Sequence, residues 1–446
     1  MTDLSFLHNR PLFYISPDIR RALGLELILP NYYIICSFYE PLVNLVRKKG
    51  AHVFCLEEEL SQLAGDIKNS GQLLENNLVQ QFIKEKSGTN QPNLIYFKPS
   101  LKLDLLCKQN GYQPLVNSYN LNEQFENKIN FFNLTKQYFT QYHIQGEIES
   151  LIKSDFKELE HKLGVPFVVQ FGHGWAGKTT FIVNDENSFL SLKKRFPGTK
   201  VKIVKYIRGF TVLNNCCLYQ DQVLVGDLAL QLNNIKGLST NPSVTCGRQW
   251  PSSGLTCKQM EIINDISQKL GQLMAKQGYQ GFFGLDFLIE DKTGKVYLSE
   301  NNARFTASTP FYTKIELHAD KIPLMAYHLA AFLNLNLKII KNDKEIVGSQ
   351  IIIRNNSSQK IAMKDDLKAG IYKLIKNHLE FVIEGYEVNK LNIGEFIIVP
   401  ERRGKIIEED EEIARIEIKK AVLNGNYQLI DDIKKIVDII KNQLTI

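Results

Sequence analysis

GYQGFFGLDFLIEDKTGKVYLSENNARFTAST, residues 278–309, is the stretch of sequence that decides the fold. It predicts two apolar strands joined by the turn Asp-Lys-Thr-Gly. Asp286 is an isolated acid in the first strand, and because side chains alternate between the faces of a strand it points away from the apolar face. In the second strand Glu300, Asn302 and Arg304 are spaced by two and share one face. We therefore expect the polar groups of the two strands to meet.

Two carboxylates and an amide oxygen on adjacent strands form a hard oxygen site. Such a site suits magnesium (or manganese), which keeps its other positions for phosphate oxygens and water. Arg304, at the end of the polar face, can hold a planar anion by two hydrogen bonds or stabilise charge in a transition state. The alternative is a half-buried hairpin whose polar face is merely solvated. The concentration of Glu, Asn and Arg opposite an isolated Asp favours the metal site.

Residues 172–179, GHGWAGKT, match the P-loop pattern G-x-x-x-x-G-K-[ST] letter for letter. A P-loop needs a helix to begin directly after its lysine, because the helix N-terminal amides bind the phosphates. The β-branched and aromatic run at residues 179–183 predicts a strand instead. The glycine-rich loop is therefore expected at the tip of a hairpin. A P-loop NTPase, in which Asp227 serves as the second acidic motif, is the less favoured alternative.

A glycine-rich hairpin loop can still bind phosphate. Gly172, Gly174 and Gly177 carry no side chains, so backbone amides can close over an anion. Lys178 would add a positive charge and take part in catalysis. A plain surface hairpin with a lysine at its tip is the other interpretation of this loop.

Periodicity along the rest of the chain predicts an α/β protein. Strands and helices alternate over the first part, which indicates a parallel α/β layer, and no G-x-G-x-x-G follows any strand there. One long polar helix begins near Leu121, and a β-rich section follows it. The next helix runs from Thr256 to Gln277, and from about Lys341 a smaller β-rich module ends in a helix. The length of 446 residues predicts about three domains.

Composition excludes several functional classes. The net charge is only +6 and basic residues are interspersed with acidic ones, which argues against a nucleic-acid partner. The N-terminus lacks the features of a signal peptide, and the apolar segment from Ile322 is interrupted by His328 and Asn334, which favours a buried helix over a membrane span. Seven cysteines without a CxxC pair predict free, mostly buried thiols in a reduced cytoplasm.

Residues 126–310 resemble an ATP-grasp domain, most specifically in GYQGFFGLDFLIE and YLSENNAR. The resemblance implies that Asp286 and Glu300 are metal-bridging carboxylates and that Asn302 is the third ligand. Arg304 takes the position of a residue that orients the reacting groups. Lys128, in ENKINFF, matches a lysine that contacts the ATP phosphates, although an exposed helical lysine is the alternative at this position.

The stretch KVKIVKYIRG is similar to the strand and hinge that pass the adenine. The resemblance implies that the backbone of Lys205, Tyr206 and Ile207 bonds the base. Two positions depart from the family pattern. Val204 stands where a glutamate is common. Gln170 stands where a phosphate-binding lysine is usual, so part of the phosphate stabilisation has to come from Lys178 or elsewhere.

What the resemblance implies for the whole chain is a Rossmann-like domain at residues 1–124, a two-subdomain ATP-grasp domain at 125–338 and a small β-rich C-terminal module at 339–446. It implies an ATP- and magnesium-dependent ligase that joins a small carboxylate to an amine through an acyl phosphate, as a homodimer. Arg248 lies in the segment STNPSVTCGRQW, residues 239–250, which predicts a loop near the phosphates. There it would bind a substrate carboxylate, or else be a solvated loop residue.

Two further alternatives remain open. An ATP-binding regulator that has lost catalysis is motivated by Gln170 and Val204. A biotin-dependent carboxylase is suggested by Ala362, Met363 and Lys364, but a second methionine does not follow them, so we interpret the tripeptide as chance.

Overall fold

Parallel strands and helices alternate over the first part of the chain, as predicted. The computed structural model describes residues 10–60, 67–174, 179–241, 243–364 and 367–444. The strands of this first part, all paired in parallel, are β1 (Leu12–Ile15), β2 (Tyr32–Cys36), β3 (His52–Cys55), β4 (Asn93–Tyr96) and β5 (Gln113–Pro114). The helices are α1 (Pro41–Lys48), α2 (Leu56–Glu59), α3 (Ser70–Glu75), α4 (Asn77–Ser87) and α5 (Leu101–Asn110). The strand order is β3-β2-β1-β4-β5.

The central strand β1 is one element that the sequence pattern does not reveal. All four residues of LFYI are buried, so the strand has no polar face to alternate with. It is also only four residues long, which is too short for periodicity to separate a strand from a buried helix segment.

The long polar helix predicted from Leu121 is wrong in one respect, since the structure has two helices there. They are α6 (Tyr119–Glu126) and α7 (Lys128–Tyr138), and they are separated at Asn127. The Asn127 side chain accepts hydrogen bonds from the amides of Ile129 and Asn130, at 2.9 and 3.3 Å. An asparagine that caps a new helix in this way ends the preceding one.

A four-stranded sheet in the order β6-β9-β7-β8 follows within the described residues. Its elements are β6 (Gly146–Ser150), α8 (Phe156–Leu163), β7 (Phe167–Phe171), β8 (Thr180–Val183), α9 (Glu186–Arg195) and β9 (Lys200–Lys205). Helices α8 and α9 cover one face through a buried cluster that includes Phe156, Val169 and Phe189. The hairpin predicted around the glycine-rich loop is confirmed, because β7 pairs antiparallel with β8.

Ten strands form the largest sheet of the described residues, and the metal-site hairpin lies at one of its edges. Its first strands are β10 (Gly209–Tyr219), β11 (Gln222–Asn233), β12 (Thr245–Trp250), β13 (Gly281–Glu290) and β14 (Val296–Asn302). Helix α10 (Cys257–Ala275) packs on this part of the sheet through a buried cluster that includes Ile263, Leu270 and Phe283, and Thr256 caps it.

Residues 239–250, predicted to be a loop, are in part a strand. β12 pairs with β11 and also with the next strand along the sheet, so both of its backbone edges are hydrogen-bonded, and the burial of its side chains does not alternate. Gly247 has a φ of 129° and lies where an added Cβ would collide with the carbonyl oxygen of Gln350. The pairing therefore requires glycine at this position.

The remaining strands extend the same sheet rather than forming one of their own. Helices α11 (Thr309–His318) and α12 (Leu324–Phe332) come first, and then β15 (Gly348–Arg354), β16 (Ile361–Ala362), β17 (Gly370–Ile375), β18 (His378–Ile383), β19 (Glu395–Pro400), β20 (Ile406–Ile407), β21 (Glu412–Ile418) and α13 (Asp431–Leu444). The sheet order is β14-β13-β10-β11-β12-β15-β21-β19-β17-β18, with β16 and β20 paired separately. The sheet thus crosses the expected boundary at residue 338, and the domain limits stay a prediction.

The apolar segment from Ile322 forms the buried helix α12, as expected. Among the described residues, no helix is both long and apolar enough to cross a membrane. The seven cysteines are unpaired, and only Cys257 is exposed, which confirms free and mostly buried thiols.

Candidate active site

A cavity of about 830 Å³ lies between the parallel sheet, the four-stranded sheet and the ten-stranded sheet. Its walls include every predicted site residue that the structure describes: Lys128, Gln170, Gly172, Gly174, Lys205, Tyr206, Ile207, Arg248, Asp286, Glu300, Asn302 and Arg304. Gly177 and Lys178 lie outside the described residues. Residues that are up to 176 positions apart in the sequence are thus brought to one cavity.

Asp286 and Glu300 face each other across the β13–β14 hairpin. They are register partners, with a bulge directly after Asp286. Asn302 Nδ2 donates to Asp286 Oδ2 at 3.4 Å, whereas Asp286 Oδ1 is buried without a hydrogen-bond partner. Burial raises the pKa of Asp286 to about 6; Arg248 opposes this shift and Glu300 adds to it. A buried carboxylate oxygen that lacks a partner is a free ligand position.

Glu300 is held by two groups from the opposite wall of the cavity. Lys128 Nζ lies 2.5 Å from Glu300 Oε1, and Gln170 Nε2 donates to the same oxygen at 3.1 Å. Burial by itself would raise the pKa of Glu300, but Lys128, Lys202 and Gln170 lower it below its usual range. Glu300 is therefore an anion at neutral pH.

Lys128 is the first residue of α7, directly after the Asn127 cap. Its side chain is 13% exposed, which excludes the alternative of an exposed helical lysine. Its amide donates to the carbonyl of Gly172 at 3.1 Å, so the start of α7 is fixed to the glycine-rich loop. The loop and the lysine therefore form one wall of the cavity.

Lys202 on β9 is a buried charge next to the cavity wall that acts on Glu300, and the sequence analysis missed it. It is the register partner of Gln170 on β7, and only 4% of it is exposed. Burial lowers its pKa to about 8; Glu300 opposes this shift and Lys128 adds to it. The signal in the sequence was a lysine inside the apolar strand KVKIVK, on the same face as Val204.

Val204 and the hinge after it form an apolar wall of the cavity. Val204 belongs to a buried cluster with Phe132, Ile144, Ile207 and Tyr297. Of the predicted backbone contacts, the amide of Lys205 already donates to the carbonyl of Gln145 at 2.9 Å. Tyr206 of the hinge is 37% exposed.

Arg248 reaches the cavity from β12 and faces Asp286. Its Nη1 donates to Thr245 Oγ1 and, at 2.8 Å, to the carbonyl of Gly247, while its Nε is buried without a partner. Burial lowers the pKa of Arg248, and Asp286 opposes this shift. The interpretation of Arg248 as a solvated loop residue is therefore wrong.

Arg304 is fixed by hydrogen bonds from all three of its nitrogens. Nε donates to Glu126 at 3.0 Å, Nη1 to the carbonyl of Phe305 at 2.8 Å and Nη2 to Asn302 Oδ1 at 3.2 Å. Because Asn302 also donates to Asp286, one connected group of hydrogen bonds joins Asp286, Asn302, Arg304 and Glu126.

The residues of the hairpin fit a magnesium ion. Among the described residues, no group of three or more His, Cys, Asp and Glu side chains is suited to a metal, and the predicted site has two carboxylates and one amide. Magnesium needs only one or two carboxylates when phosphate oxygens and water fill its other positions. The free oxygen of Asp286 and the anionic Glu300 meet that requirement.

Solved structures share this architecture. Biotin carboxylase from Campylobacter jejuni, solved as a β-γ-ATP complex, has a TM-score of 0.62 and 12% identity, over 97% of this chain and 91% of that one. N5-carboxyaminoimidazole synthase from Aspergillus clavatus, in complex with ADP and 5-aminoimidazole ribonucleotide, has a TM-score of 0.59 and 13% identity, over 96% and 99%. The biotin carboxylase domain dimer of Hydrogenobacter thermophilus 2-oxoglutarate carboxylase, with MgADP, ADP and bicarbonate, has a TM-score of 0.60 and 15% identity, over 92% and 85%.

The sequence itself matches no protein-family model and no curated protein. The likeness to the solved structures nevertheless covers nearly the whole chain. The chain therefore has the ATP-grasp fold, which these enzymes share, and the predicted fold class is confirmed.

Proposed function

We propose that this protein is an ATP- and magnesium-dependent ligase that joins a small carboxylate to an amine. The observation that carries the proposal is the pair of Asp286 and Glu300, in register across a hairpin and opposite Lys128 on the far wall of the cavity. Carboxylates on one wall and lysines on the other are what a triphosphate with its metal requires. The ATP or ADP bound in solved structures of the same fold, one of them with magnesium, supports the cofactors.

In this reaction an oxygen of the substrate carboxylate attacks the γ-phosphorus of ATP, and the bond to the departing ADP oxygen breaks. The amine then attacks the carbonyl carbon of the acyl phosphate, the bond from that carbon to the phosphate oxygen breaks, and the departing phosphate accepts the proton that the amine loses. Asp286, Glu300 and Asn302 would hold magnesium, which neutralises phosphate charge when bound. Lys128 and Lys202 would bind phosphate oxygens from the opposite wall, and Arg248 would hold the substrate carboxylate beside Asp286.

Lys202 compensates for the departure at Gln170. Glutamine supplies no charge at the end of β7, but its register partner on β9 does, behind the cavity wall and close enough to lower the pKa of Glu300. With a pKa of about 8, Lys202 is largely protonated at pH 7. The proposal therefore favours an active ligase over the regulator that Gln170 and Val204 had suggested.

The test is ADP release by the full chain with MgATP across a panel of small carboxylates and amines. Asp286→Asn removes one metal-binding charge at nearly constant shape, and Asp265→Asn, on the exposed face of α10, is the matched control. We expect turnover that requires one carboxylate and one amine, falls by about 100-fold or more in Asp286→Asn and is unchanged in Asp265→Asn. MgATP binding without turnover under any pairing would instead identify the regulator.

A further inference from the structure

Arg21 lies where an α/β sheet most often binds its ligand. It follows β1, whose neighbours are β2 on one side and β4 on the other. The crevice outside the carboxyl ends of such strands, where the strand order reverses, is the preferred ligand site of open parallel sheets. Arg21 follows β1 and Phe97 follows β4, and both line the same cavity as Asp286 and Glu300.

The other cations of this wall have carboxylate partners. Arg20 pairs with Asp18 at 2.8 Å and with Glu401 at 2.7 Å. The further pairs are Arg415 with Glu412 at 2.9 Å, Lys98 with Glu126 at 2.8 Å and Arg304 with Glu126 at 3.0 Å. Within the part of the chain that the structure describes, no ion pair joins Arg21 to a carboxylate, and its Nη1 is buried without a hydrogen-bond partner.

Phe97 fixes the position of the Arg21 guanidinium. The centre of the guanidinium lies 4.7 Å from the centroid of the Phe97 ring, and that of Arg304 lies 4.8 Å from the same centroid. A cation–π contact orients a guanidinium but satisfies none of its N–H donors. A buried charged donor without an acceptor is costly, and a bidentate oxyanion removes that cost. Glu126 accepts from Arg304 Nε, whereas Asp18 and Glu412 act on Arg21 only from beyond ion-pair distance, so the donor without an acceptor belongs to Arg21.

We propose that Arg21 binds the anionic group, a carboxylate or a phosphate, of the amine substrate. This inference rests on the proposed function, and it narrows the substrate class to amines that carry an acidic group. The anion would sit at the ends of β1 and β4, and the amino group would point toward Asp286 and Glu300. Arg21 is then a specificity determinant, because neutral amines leave its buried Nη1 without an acceptor.

The test is isothermal titration of the full chain with succinate, inorganic phosphate and the neutral analogue succinamide, in the presence of MgADP. Arg21→Gln removes the charge. Arg195→Gln is the matched control, because Arg195 also lies over a phenyl ring, that of Phe196 at 4.9 Å, but outside the cavity. We expect the wild type to bind one of the two anions and not succinamide, with affinity about tenfold or more weaker in Arg21→Gln and unchanged in Arg195→Gln.

The anion that binds distinguishes a carboxylate from a phosphate substrate. No binding of either anion by the wild type, or equal affinity in Arg21→Gln, overturns the proposal. Arg21→Lys keeps the charge but not the bidentate geometry, and it serves if Arg21→Gln does not fold; unchanged affinity in that variant also overturns it.

A separate titration with MgATP distinguishes this inference from the proposed function. If the wild type binds no MgATP, the proposed function fails while the anion result stands. If Arg21→Gln loses MgATP affinity together with anion affinity, Arg21 belongs to the nucleotide site and the inference fails.

Discussion

At the residue scale, Gln170 stands where the family resemblance leads one to expect a lysine, and a lysine is found instead at Lys202 on the paired strand. Strand partners in register have their side chains about 5 Å apart on one face, so a lysine on β9 reaches the region that a lysine at the end of β7 would occupy. The displaced charge lies beside Glu300 and Lys128. If the proposed function holds, a phosphate group in the cavity is under the influence of positive charge from two elements, α7 and β9.

Replacing Lys202 tests this role. We expect Lys202→Met to raise the KM for ATP or lower kcat by about tenfold to 100-fold in the ADP-release assay, because one phosphate-binding charge is lost. Lys200→Met, at the exposed start of the same strand, should leave both constants unchanged. Equal kinetics for the two variants would show that Lys202 is only a buried structural residue.

The placement of the two carboxylates proposed to hold the metal could be predicted from the sequence because it depends on a local rule. Alternation along two strands joined by a short turn places Asp286 opposite Glu300, and the structure has them in register. Lys202 and Arg21 could not be found in that way. Their roles depend on which distant strand lies beside them, and periodicity within one element does not carry that information.

Among the helices and strands, the break between α6 and α7 has the most direct effect on the site. Asn127 ends one helix and caps the next, and Lys128 is the first residue of the new helix. One unbroken helix would carry Lys128 in its middle, where no free amides are available to the neighbouring loop. The cap thus places a helix N-terminus, with its partial positive charge, beside the glycine-rich loop.

Replacing Asn127, which caps α7, tests whether the cap contributes to MgATP binding as well as to the stability of the fold. We expect Asn127→Ala to lower the free energy of unfolding by about 1 kcal/mol, and to weaken MgATP binding several-fold because Lys128 loses its fixed position. Urea unfolding and isothermal titration measure the two effects. Asn76→Ala removes the cap of α4, where Asn76 accepts from the amide of Leu78 at 2.9 Å, and should lower stability alone. Equal MgATP affinities in the two variants would contradict the assignment.

β12 shows where prediction of elements from sequence fails. TCGRQW has neither strict alternation nor a long apolar run, and it is a strand because β11 and β15 cover both of its edges. Tertiary pairing supplies the strand here, whereas in β13 and β14 the local pattern is sufficient. Arg248 therefore comes from a fixed strand rather than from a loop.

At the scale of the whole molecule, His328 joins three parts of the chain. Its Nδ1 accepts from the amide of Phe282 on β13 at 2.9 Å, and its Nε2 donates to the carbonyl of Leu115, after β5, at 2.7 Å. Burial lowers its pKa from 6.5 to about 4. The parallel sheet is thus tied to α12 and to the ten-stranded sheet through a neutral imidazole.

This contact makes stability depend on pH in a defined window. The unfolded chain takes up the His328 proton below pH 6.5 and the folded chain only near pH 4, so the stabilisation is fully present above pH 6.5 and is lost as the pH falls toward 4. We expect the free energy of unfolding in urea to fall by about 2 kcal/mol more between pH 7 and pH 5 in the wild type than in His328→Gln. His161→Gln, at an exposed position, should behave as the wild type. The same acid loss in all three proteins would contradict this prediction.

The parts of the architecture that could be predicted from the sequence are those in which strand and helix patterns recur along the chain. Alternation of strands and helices indicated the parallel layer, and the resemblance indicated the ATP-grasp fold, which the solved structures confirm. Strand β1 was missed because four buried apolar residues have no periodicity. Continuity of the large sheet across residue 338 was missed because it depends on β12 pairing with β15, about a hundred residues apart in the sequence.

The pairing of β12 with β15 limits where the chain can be cut into two fragments. A fragment that stops at residue 338 keeps Asp286 and Glu300. It lacks β15, however, so the backbone groups along one edge of β12, the strand that carries Arg248, lose their partners. An exposed row of unpaired amides and carbonyls is a template for self-association. The reciprocal fragment, starting at residue 339, exposes the matching edge of β15. Truncation libraries and split-protein reporters built at this position would therefore yield two fragments prone to self-association, and the cut would divide the residues that line the cavity between them.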